Sequence, residues 1–189
     1  MHDFIEEYNV DSKICDKFIE YHKNNKEYKD IGRVGGKINV ASKDSTDVLF
    51  FNQSQNSFML DFFKCLEKSI IHYHKKYFYN ANHNIRTHVT HHIQHYPKGG
   101  GFKVIHYERD SLHTTTRQLV YMLYCNTLKK GGTHFPFQEK TLTAKKGKLV
   151  IWPSDFTHTH RGMPSYKTEK EIVTGWYSYC SKGDNLQWI

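Results

Sequence analysis

The hydrophobic residues of this chain follow a helical repeat in the first half and a strand-like repeat in the second. Asp11 or Ser12 can cap a first helix whose apolar side chains, including Ile14 and Phe18, share one face. The glycines that follow this segment, together with the polar residues 45–47, predict a loop. The N-terminal part is therefore predicted to be mainly helical.

A second and longer helix is predicted over residues 57–77. Phe58, Phe62, Leu66 and Ile70 recur every four residues, which places them on one face of a helix. Such an aromatic stripe is typical of core packing. We therefore interpret it as the surface that attaches the helix to the rest of the fold.

The pattern changes near residue 86, where short β-branched and aromatic runs alternate with glycine-rich or polar turns. This spacing favours an antiparallel sandwich or barrel, with the helices supporting one sheet. The prediction is an α+β, mainly β, single domain over residues 1–189, with a helical support region at 1–80 and a strand core at 86–180. The strands are predicted at 86–96, 102–108, 118–125, 148–152 and 172–179.

Composition agrees with one compact core. The chain has 189 residues, of which 38% are hydrophobic and 15% aromatic, and a core usually serves about 100–200 residues. The formal net charge of +8 could suit an acidic partner such as nucleic acid, but the lysines are spread along the chain, which favours a solubilising surface. Nucleic acid is thus a disfavoured partner.

The cysteines and the N-terminus indicate a reducing compartment. Four cysteines lie far apart without a CxxC motif, so neither a disulfide framework nor a structural zinc site is expected. No segment reads as a signal peptide, and no run approaches the roughly 18 apolar residues of a membrane helix. We predict a cytoplasmic protein without membrane contact.

His106 and Glu108 form the first candidate for metal binding. Residues two apart on a strand point to the same face, so this imidazole and this carboxylate can bind one ion. Asp110 has the same parity, but it lies a further ~6–7 Å along the strand. Two histidines with one carboxylate suit iron(II) and leave three positions open. The HxE pair by itself is a weak signal.

The third ligand must come from elsewhere in the chain. His158 and His160 lie two residues apart, so either could face the ion, and the residues alone leave that choice open. His91, His92 and His95 lack the glutamate of a zinc-protease HExxH motif and lie in a predicted strand. We assign these three a structural role.

An ordered series of motifs between about residues 89 and 179 resembles the iron(II)/2-oxoglutarate dioxygenases of the prolyl 4-hydroxylase type. Each motif is loose by itself, but the order and the gaps are specific. Residues 15–19 and 43–47 resemble, more weakly, small phage and bacterial members of the family. The matching residues are Tyr96, His106-Tyr107-Glu108, Tyr121–Asn126, Gly131–Pro136, Lys146–Pro153, His160–Pro164, Lys170 and Thr174–Tyr177.

This resemblance implies a double-stranded β-helix, or jelly roll, with a metal at its mouth. His106, Glu108 and His160 would take the ligand positions. His160 is preferred to His158 because the family has a basic residue ten positions after this histidine, and Lys170 fits that spacing. Most relatives carry aspartate where this chain has Glu108. A halogenase would carry a small residue there, which disfavours that branch.

The resemblance also assigns residues around the co-substrate. The Lys170 ammonium would pair with the distal carboxylate of 2-oxoglutarate, a charge-assisted bond that is strong in an enclosed pocket. Tyr124 would donate its hydroxyl to the same carboxylate. Tyr96 would line the cofactor side, and Trp176 would form part of the pocket wall.

The predicted activity is hydroxylation of a C–H bond with iron(II), 2-oxoglutarate and O₂. Whether ascorbate is a further cofactor stays open. A prolyl residue in a peptide or protein is the favoured substrate, ahead of a free amino acid or small metabolite. A methylated nucleobase comes last, because residues 170–174 lack the arginine-rich motif of nucleic-acid demethylases. The rivals are a non-catalytic jelly-roll binding module and a structural zinc protein.

Overall fold

The computed structural model describes residues 2–78 and 84–181. Its two α-helices are α1 (Ser12–Asn24) and α2 (Ser57–Tyr77), and the Asp11 carboxylate caps α1 by accepting a hydrogen bond from the backbone of Lys13 at 2.8 Å. Both predicted helices are confirmed. Short 3-10 helices cover Lys26–Tyr28, Leu112–Thr114 and Phe156–His158.

The strands of the described chain are mostly short and all pair antiparallel. Their bounds are β1 (Glu6–Asn9), β2 (Asp30–Ile31), β3 (Arg33–Val34), β4 (Lys37–Ile38), β5 (Thr46–Phe51), β6 (Ile85–Thr87), β7 (Thr90–Tyr96), β8 (Arg117–Tyr124), β9 (Thr133–Phe135), β10 (Lys140–Thr141), β11 (Lys148–Pro153), β12 (Arg161–Gly162) and β13 (Lys170–Tyr179).

A large sheet and a small sheet organise these strands. The main sheet runs in the order β2-β5-β7-β13-β8-β11-β1, and β6 also pairs with β13. The small sheet is β10-β9-β12, and β3 and β4 form a separate hairpin. The predicted α+β, mainly β fold with a jelly-roll arrangement is confirmed. Within the described ranges, no helix combines the length and apolar character that crossing a bilayer requires.

The helices cover one face of the main sheet and leave the other face for a cavity. Phe18 of α1 packs edge-on against Phe62 of α2, with ring centroids 5.0 Å apart, and both side chains are fully buried. Leu119, Tyr121 and Leu123 of β8 point into this same cluster. The apolar stripe of α2 is thus core packing, as its spacing predicts.

Two predicted elements differ in the structure. Residues 46–47 begin strand β5 instead of continuing a loop, because Val48 and Phe50 are buried toward the helices while the strand pairs with β7. The 1–80 region therefore contributes strands to the main sheet as well as helices. Its residues 1, 79 and 80 lie outside the described part, and a single domain over 1–189 stays a prediction.

The second difference is that residues 102–108 do not form a strand. Its β-type pairing consists of two isolated bridges, Lys43 to Phe102 and His106 to His160, and the remaining backbone hydrogen bonds of the segment are irregular. The backbone N–H of His106 donates to the carbonyl of His160 at 3.0 Å, and the reverse bond measures 2.8 Å. The segment thus departs from regular pairing where it carries the candidate metal ligands.

Candidate metal centre

Three candidate ligands from two distant parts of the chain meet beside the small sheet. One nitrogen each from His106 and His160 and one oxygen from Glu108 lie within 4.8 Å of one another. The Oε1 atom of Glu108 is 3.4 Å from Nε2 of His106 and 3.8 Å from Nε2 of His160. When each ligand atom lies about 2.0–2.2 Å from one metal ion, the ligand atoms are separated from one another by distances comparable to the 3.4 Å and 3.8 Å seen here. This donor set therefore fits a metal ion.

Backbone carbonyls fix the orientation of both imidazoles. Nδ1 of His106 donates to the carbonyl of Val104 at 2.9 Å, and Nδ1 of His160 donates to the carbonyl of His158 at 3.0 Å. Because a carbonyl only accepts, each ring carries its proton on Nδ1 and keeps a lone pair on Nε2. This hydrogen bonding is characteristic of imidazoles prepared to bind a metal.

Ring packing holds the two histidines further. Phe102 stacks on His106 with centroids 3.6 Å apart and planes 13° from parallel. The His160 ring contacts the rings of Phe135 and Trp152, with centroid distances of 5.4 Å and 5.1 Å. Sequence reasoning missed these contacts, because the partners come from separate turns and strands.

The ionisation states of the site favour a cation. Burial raises the pKa of Glu108, but the hydrogen bond that His106 donates when it is protonated, and the charges of His106, His160 and Arg117, outweigh burial and bring it to about 2. Burial lowers the pKa of His160 to about 4. Glu108 is therefore an anion and His160 neutral near pH 7, the states in which each can bind a metal.

The alternative ligands lie elsewhere. Nε2 of His158 donates a hydrogen bond to the carbonyl of Asp3 at 2.8 Å. The ring therefore points toward the N-terminal segment. Asp110 is exposed and accepts a hydrogen bond from the hydroxyl of Thr114. Neither residue joins the cluster formed by His106, Glu108 and His160.

The three histidines of β7 that were assigned a structural role, His91, His92 and His95, lie on two different faces of the strand. His91 is buried against Phe50, with its Nδ1 2.5 Å from the Tyr121 hydroxyl, and His95 pairs with Glu171 at 2.7 Å. His92, in contrast, lines the cavity beside Trp176. Alternation along β7 turns His92 to the opposite face from His91 and His95, and the structural role assigned to His92 stays a prediction.

A cavity of about 620 Å³ extends from the three ligands into the fold. Lys170 lies at its wall and is 3% exposed; its Nζ donates to the carbonyl of Met163 at 3.1 Å and lies 4.7 Å above the ring of Tyr96. Burial lowers the pKa of Lys170 to about 8, with no compensating acidic side chain in the described chain. A buried ammonium without a carboxylate partner favours an anionic ligand.

The two predicted tyrosines also line this cavity. The Tyr124 hydroxyl is 2.7 Å from the Thr133 hydroxyl, and the Tyr96 hydroxyl donates to Oε1 of Gln94 at 3.0 Å. Both rings are buried. Each hydroxyl is therefore held at the wall by a neighbour rather than free in the cavity.

A buried polar network that the sequence did not indicate supports the Tyr96 wall. The carboxylate of Asp47 accepts from Lys43 at 2.7 Å, from Ser45 at 2.7 Å and from Gln94 at 2.8 Å. Lys43 and Gln94 face the cavity. Because residues 45–47 read as a polar loop in sequence, only their pairing with β7 reveals this role.

Trp176 and Arg117 contact the other side of Glu108. The indole N–H of Trp176 donates to Oε2 of Glu108 at 3.0 Å, and an Arg117 nitrogen lies 3.7 Å from the same oxygen. Arg117 also donates to the Glu108 carbonyl at 3.1 Å. Trp176 is thus a wall residue that bonds the carboxylate, and Arg117 is a contact that the sequence did not predict.

Solved structures share this fold at low sequence identity. A viral collagen prolyl hydroxylase from Paramecium bursaria Chlorella virus 1, in complex with 2-oxoglutarate, is 17% identical, with a TM-score of 0.71 over 94% of this chain and 97% of that one. A Pseudomonas putida prolyl 4-hydroxylase is 13% identical, with a TM-score of 0.72 over 93% and 92%.

A third similar structure contains a bound peptide. It is a Trichoplax adhaerens prolyl hydroxylase in complex with a fragment of the oxygen degradation domain of hypoxia inducible factor. This neighbour is 14% identical, with a TM-score of 0.73 over 94% of this chain and 84% of that one. A search of curated proteins found no match.

A family model matches the part of the chain that carries the site. The model is that of the 2OG-Fe(II) oxygenase superfamily, and it covers residues 91–178. This range contains His106, Glu108, His160 and Lys170. Enzymes of this superfamily use iron(II) as cofactor and 2-oxoglutarate and O₂ as co-substrates. With their jelly-roll fold and the His-Glu-His cluster, residues 91–178 of the chain match the 2OG-Fe(II) oxygenase superfamily.

Proposed function

We propose that His106, Glu108 and His160 bind the iron(II) of this oxygenase. The observation that carries the proposal is the convergence of two Nε2 lone pairs and one anionic oxygen within 4.8 Å. A set of two imidazoles and one carboxylate suits iron(II) and leaves coordination positions for other ligands. When bound there with 2-oxoglutarate, iron(II) supplies O₂ activation and C–H hydroxylation.

The protein's own contribution is to hold the co-substrate and exclude water. Lys170 is proposed to bind the distal carboxylate of 2-oxoglutarate, since its buried ammonium contacts the Met163 carbonyl and the ring of Tyr96 but no carboxylate of the described residues. Tyr124 lies on the same wall, and we propose that its hydroxyl turns from Thr133 toward that carboxylate. Such charge-assisted bonds orient the ligand in a largely enclosed cavity.

The proposed substrate is a prolyl residue in a peptide or protein. The similar structures are prolyl hydroxylases, and one of them contains a peptide. The cavity is large enough for more than a small co-substrate, and residues 33–36, 110–111 and 113–114 also line it. An extended chain could therefore place one side chain into the cavity while its backbone remains outside. Ascorbate use and a cytoplasmic location stay predictions.

Anaerobic titration with iron(II) and then 2-oxoglutarate tests the ligand assignment. The chelate gives a weak visible charge-transfer band, which should form with the wild type, disappear in His160→Ala and weaken strongly in Lys170→Ala. His158→Ala is the matched control and should retain the band. Loss of the band in the His158 variant but not in the His160 variant would overturn the ligand set.

The substrate class needs a separate assay. Proline-containing peptides and free L-proline are incubated with the iron-loaded enzyme, 2-oxoglutarate and O₂, and hydroxylation is read by mass spectrometry. The proposal expects one added oxygen on a peptidyl proline and none on free proline. Succinate formation that is stimulated only by free amino acids would exclude the peptide substrate.

A further inference from the structure

The two oxygens of the Glu108 side chain have different partners. Oε1 faces the two imidazoles, at 3.4 Å and 3.8 Å. Oε2 accepts the indole N–H of Trp176 at 3.0 Å and lies 3.7 Å from Arg117. One oxygen therefore points into the candidate metal centre while the other is engaged by donors of the protein.

Trp176 and Arg117 support each other, and together we call them the clamp. The guanidinium carbon of Arg117 lies 3.7 Å from the centre of the Trp176 ring, which is close cation–π contact. Arg117 also donates to the Glu108 carbonyl, so the clamp holds both the backbone and the side chain of this residue. The two residues come from neighbouring strands, β8 and β13, of the main sheet.

A glutamate in a metal site needs such restraint. Carboxylates bind metals through one oxygen or two, and glutamate reaches further than aspartate by one methylene. Two imidazoles and one oxygen leave three coordination positions, but a second carboxylate oxygen would take one of them. A 2-oxo acid that chelates through its 1-carboxylate and keto group needs two, and O₂ needs the remaining one.

We propose that the clamp holds Glu108 to one-oxygen binding and so keeps a coordination position free for 2-oxoglutarate and O₂. Trp176 and Arg117 are positioning residues in this account, because they act on the metal through Glu108. The inference rests on the proposed function, in which Glu108 is a ligand of iron(II).

Trp176→Phe is the sharpest test, because it removes the N–H donor while leaving an aromatic ring and the net charge unchanged. Cobalt(II) is titrated first and 2-oxoglutarate second, with the cobalt visible spectrum as the readout, so no turnover is needed. We expect cobalt affinity to be retained or increased, and affinity of the cobalt-loaded protein for 2-oxoglutarate to fall about tenfold or more. The spectrum without 2-oxoglutarate should also change.

Arg117→Gln provides a second variant should the first fold poorly, and Arg86→Gln is its control. Arg86 lies in β6, away from the cavity lining. We expect the Arg117 variant to weaken 2-oxoglutarate binding in the same direction, and the Arg86 variant to bind both ligands like the wild type. Thermal unfolding of each variant verifies that it is folded.

Glu108→Asp supplies the coupling test. Because an aspartate is one methylene shorter, we expect that it does not reach Trp176 while it binds the metal, so adding Trp176→Phe to this background should change 2-oxoglutarate affinity less than twofold. Equal effects of Trp176→Phe in both backgrounds would overturn the clamp, as would loss of cobalt affinity in Trp176→Phe or unchanged 2-oxoglutarate affinity. Failure of the wild type to bind cobalt and 2-oxoglutarate would instead overturn the proposed function itself.

Discussion

The two faces of the main sheet are built from alternating residues of the same strands, yet they carry different kinds of side chain. Toward the helices, β8 presents Leu119, Tyr121 and Leu123, all buried with the aromatic residues of α1 and α2. Toward the cavity, β7 and β13 present His92 and Lys170 beside a second cluster of buried apolar residues. A single residue step along a strand thus separates packing from chemistry.

The comparison also explains why neighbouring residues of the same type have different roles. His91 is buried between aromatic rings, and burial lowers its pKa to about 3, so it stays neutral in the core. His92 lines the cavity beside Trp176. The helix face should therefore determine stability, whereas the cavity face should determine ligand binding.

Phe62→Ala should have the largest effect and should act on folding. Phe62 is fully buried and packs against Phe18 and Tyr121. Its truncation leaves a cavity, so the free energy of unfolding should fall by about 3–5 kcal/mol, measured by urea denaturation. Met122→Ala, on the cavity face, is the comparison variant and should cost less. An effect of the Phe62 variant below about 1 kcal/mol would contradict the division between faces.

Lys170→Met should separate the stability of the fold from its affinity for 2-oxoglutarate. The substitution removes a buried ammonium that has no carboxylate partner among the described residues, so the free energy of unfolding should be unchanged or higher. Affinity for 2-oxoglutarate should fall about 10- to 100-fold, as expected for a lost charge-assisted bond. Calorimetry and denaturation of the same sample measure both. If Lys170→Met unfolded more readily and bound 2-oxoglutarate normally, Lys170 would belong to the core.

The pH dependence of 2-oxoglutarate binding should report on the same lysine. Because the pKa of unliganded Lys170 is about 8, the ammonium is present below that pH and is lost above it. Affinity should therefore be constant from about pH 6.5 to 7.5 and fall toward tenfold per unit above pH 8. The Lys170→Met variant should lack this decline. A wild-type profile that is flat to pH 10 would exclude Lys170 as the anchor.

Asp11→Ala should have the smallest effect and should leave the cavity face untouched. The Asp11 carboxylate caps helix α1 through the Lys13 backbone. Loss of a cap costs about 0.5–2 kcal/mol, and 2-oxoglutarate affinity should not change. Lys17→Ala, which removes only an exposed ion pair with Glu20, is the control, with an effect below about 1 kcal/mol. Altered ligand binding in the Asp11 variant would show that the helix layer and the cavity are coupled.

Local periodicity predicted most of the secondary structure but not the strands with mixed character. Helix α2 has the predicted bounds because its apolar repeat is long and regular. Strand β5 was missed, since its first residues are polar and their burial depends on Lys43, Gln94 and the main sheet. The 102–108 segment was predicted as a strand from its composition, but it pairs only through isolated bridges, from Phe102 to Lys43 and from His106 to His160.

The residues around Glu108 show where sequence reasoning ends. Strict alternation along β8 would place Arg117 on the same face as Leu119 and Tyr121, toward the helices. The pairing with β13 shifts between Tyr177 and Ser178, so that β8 carries an extra residue at Gln118. Such a bulge reverses the facing of the side chain beyond it, which here is that of Arg117. Arg117 therefore reaches the cavity face and Trp176.

The sequence by itself determined the helices, the longer strands of the second half, the order of the motifs and the residue types that can bind a metal and an anionic co-substrate. These features depend on local periodicity and on the chemistry of single side chains. Only the tertiary structure decided that His106 opposes His160, that Asp47 anchors the cavity wall and that Arg117 and Trp176 hold Glu108. Those contacts join residues far apart in the chain, so they depend on strand register and on a single bulge rather than on any local pattern.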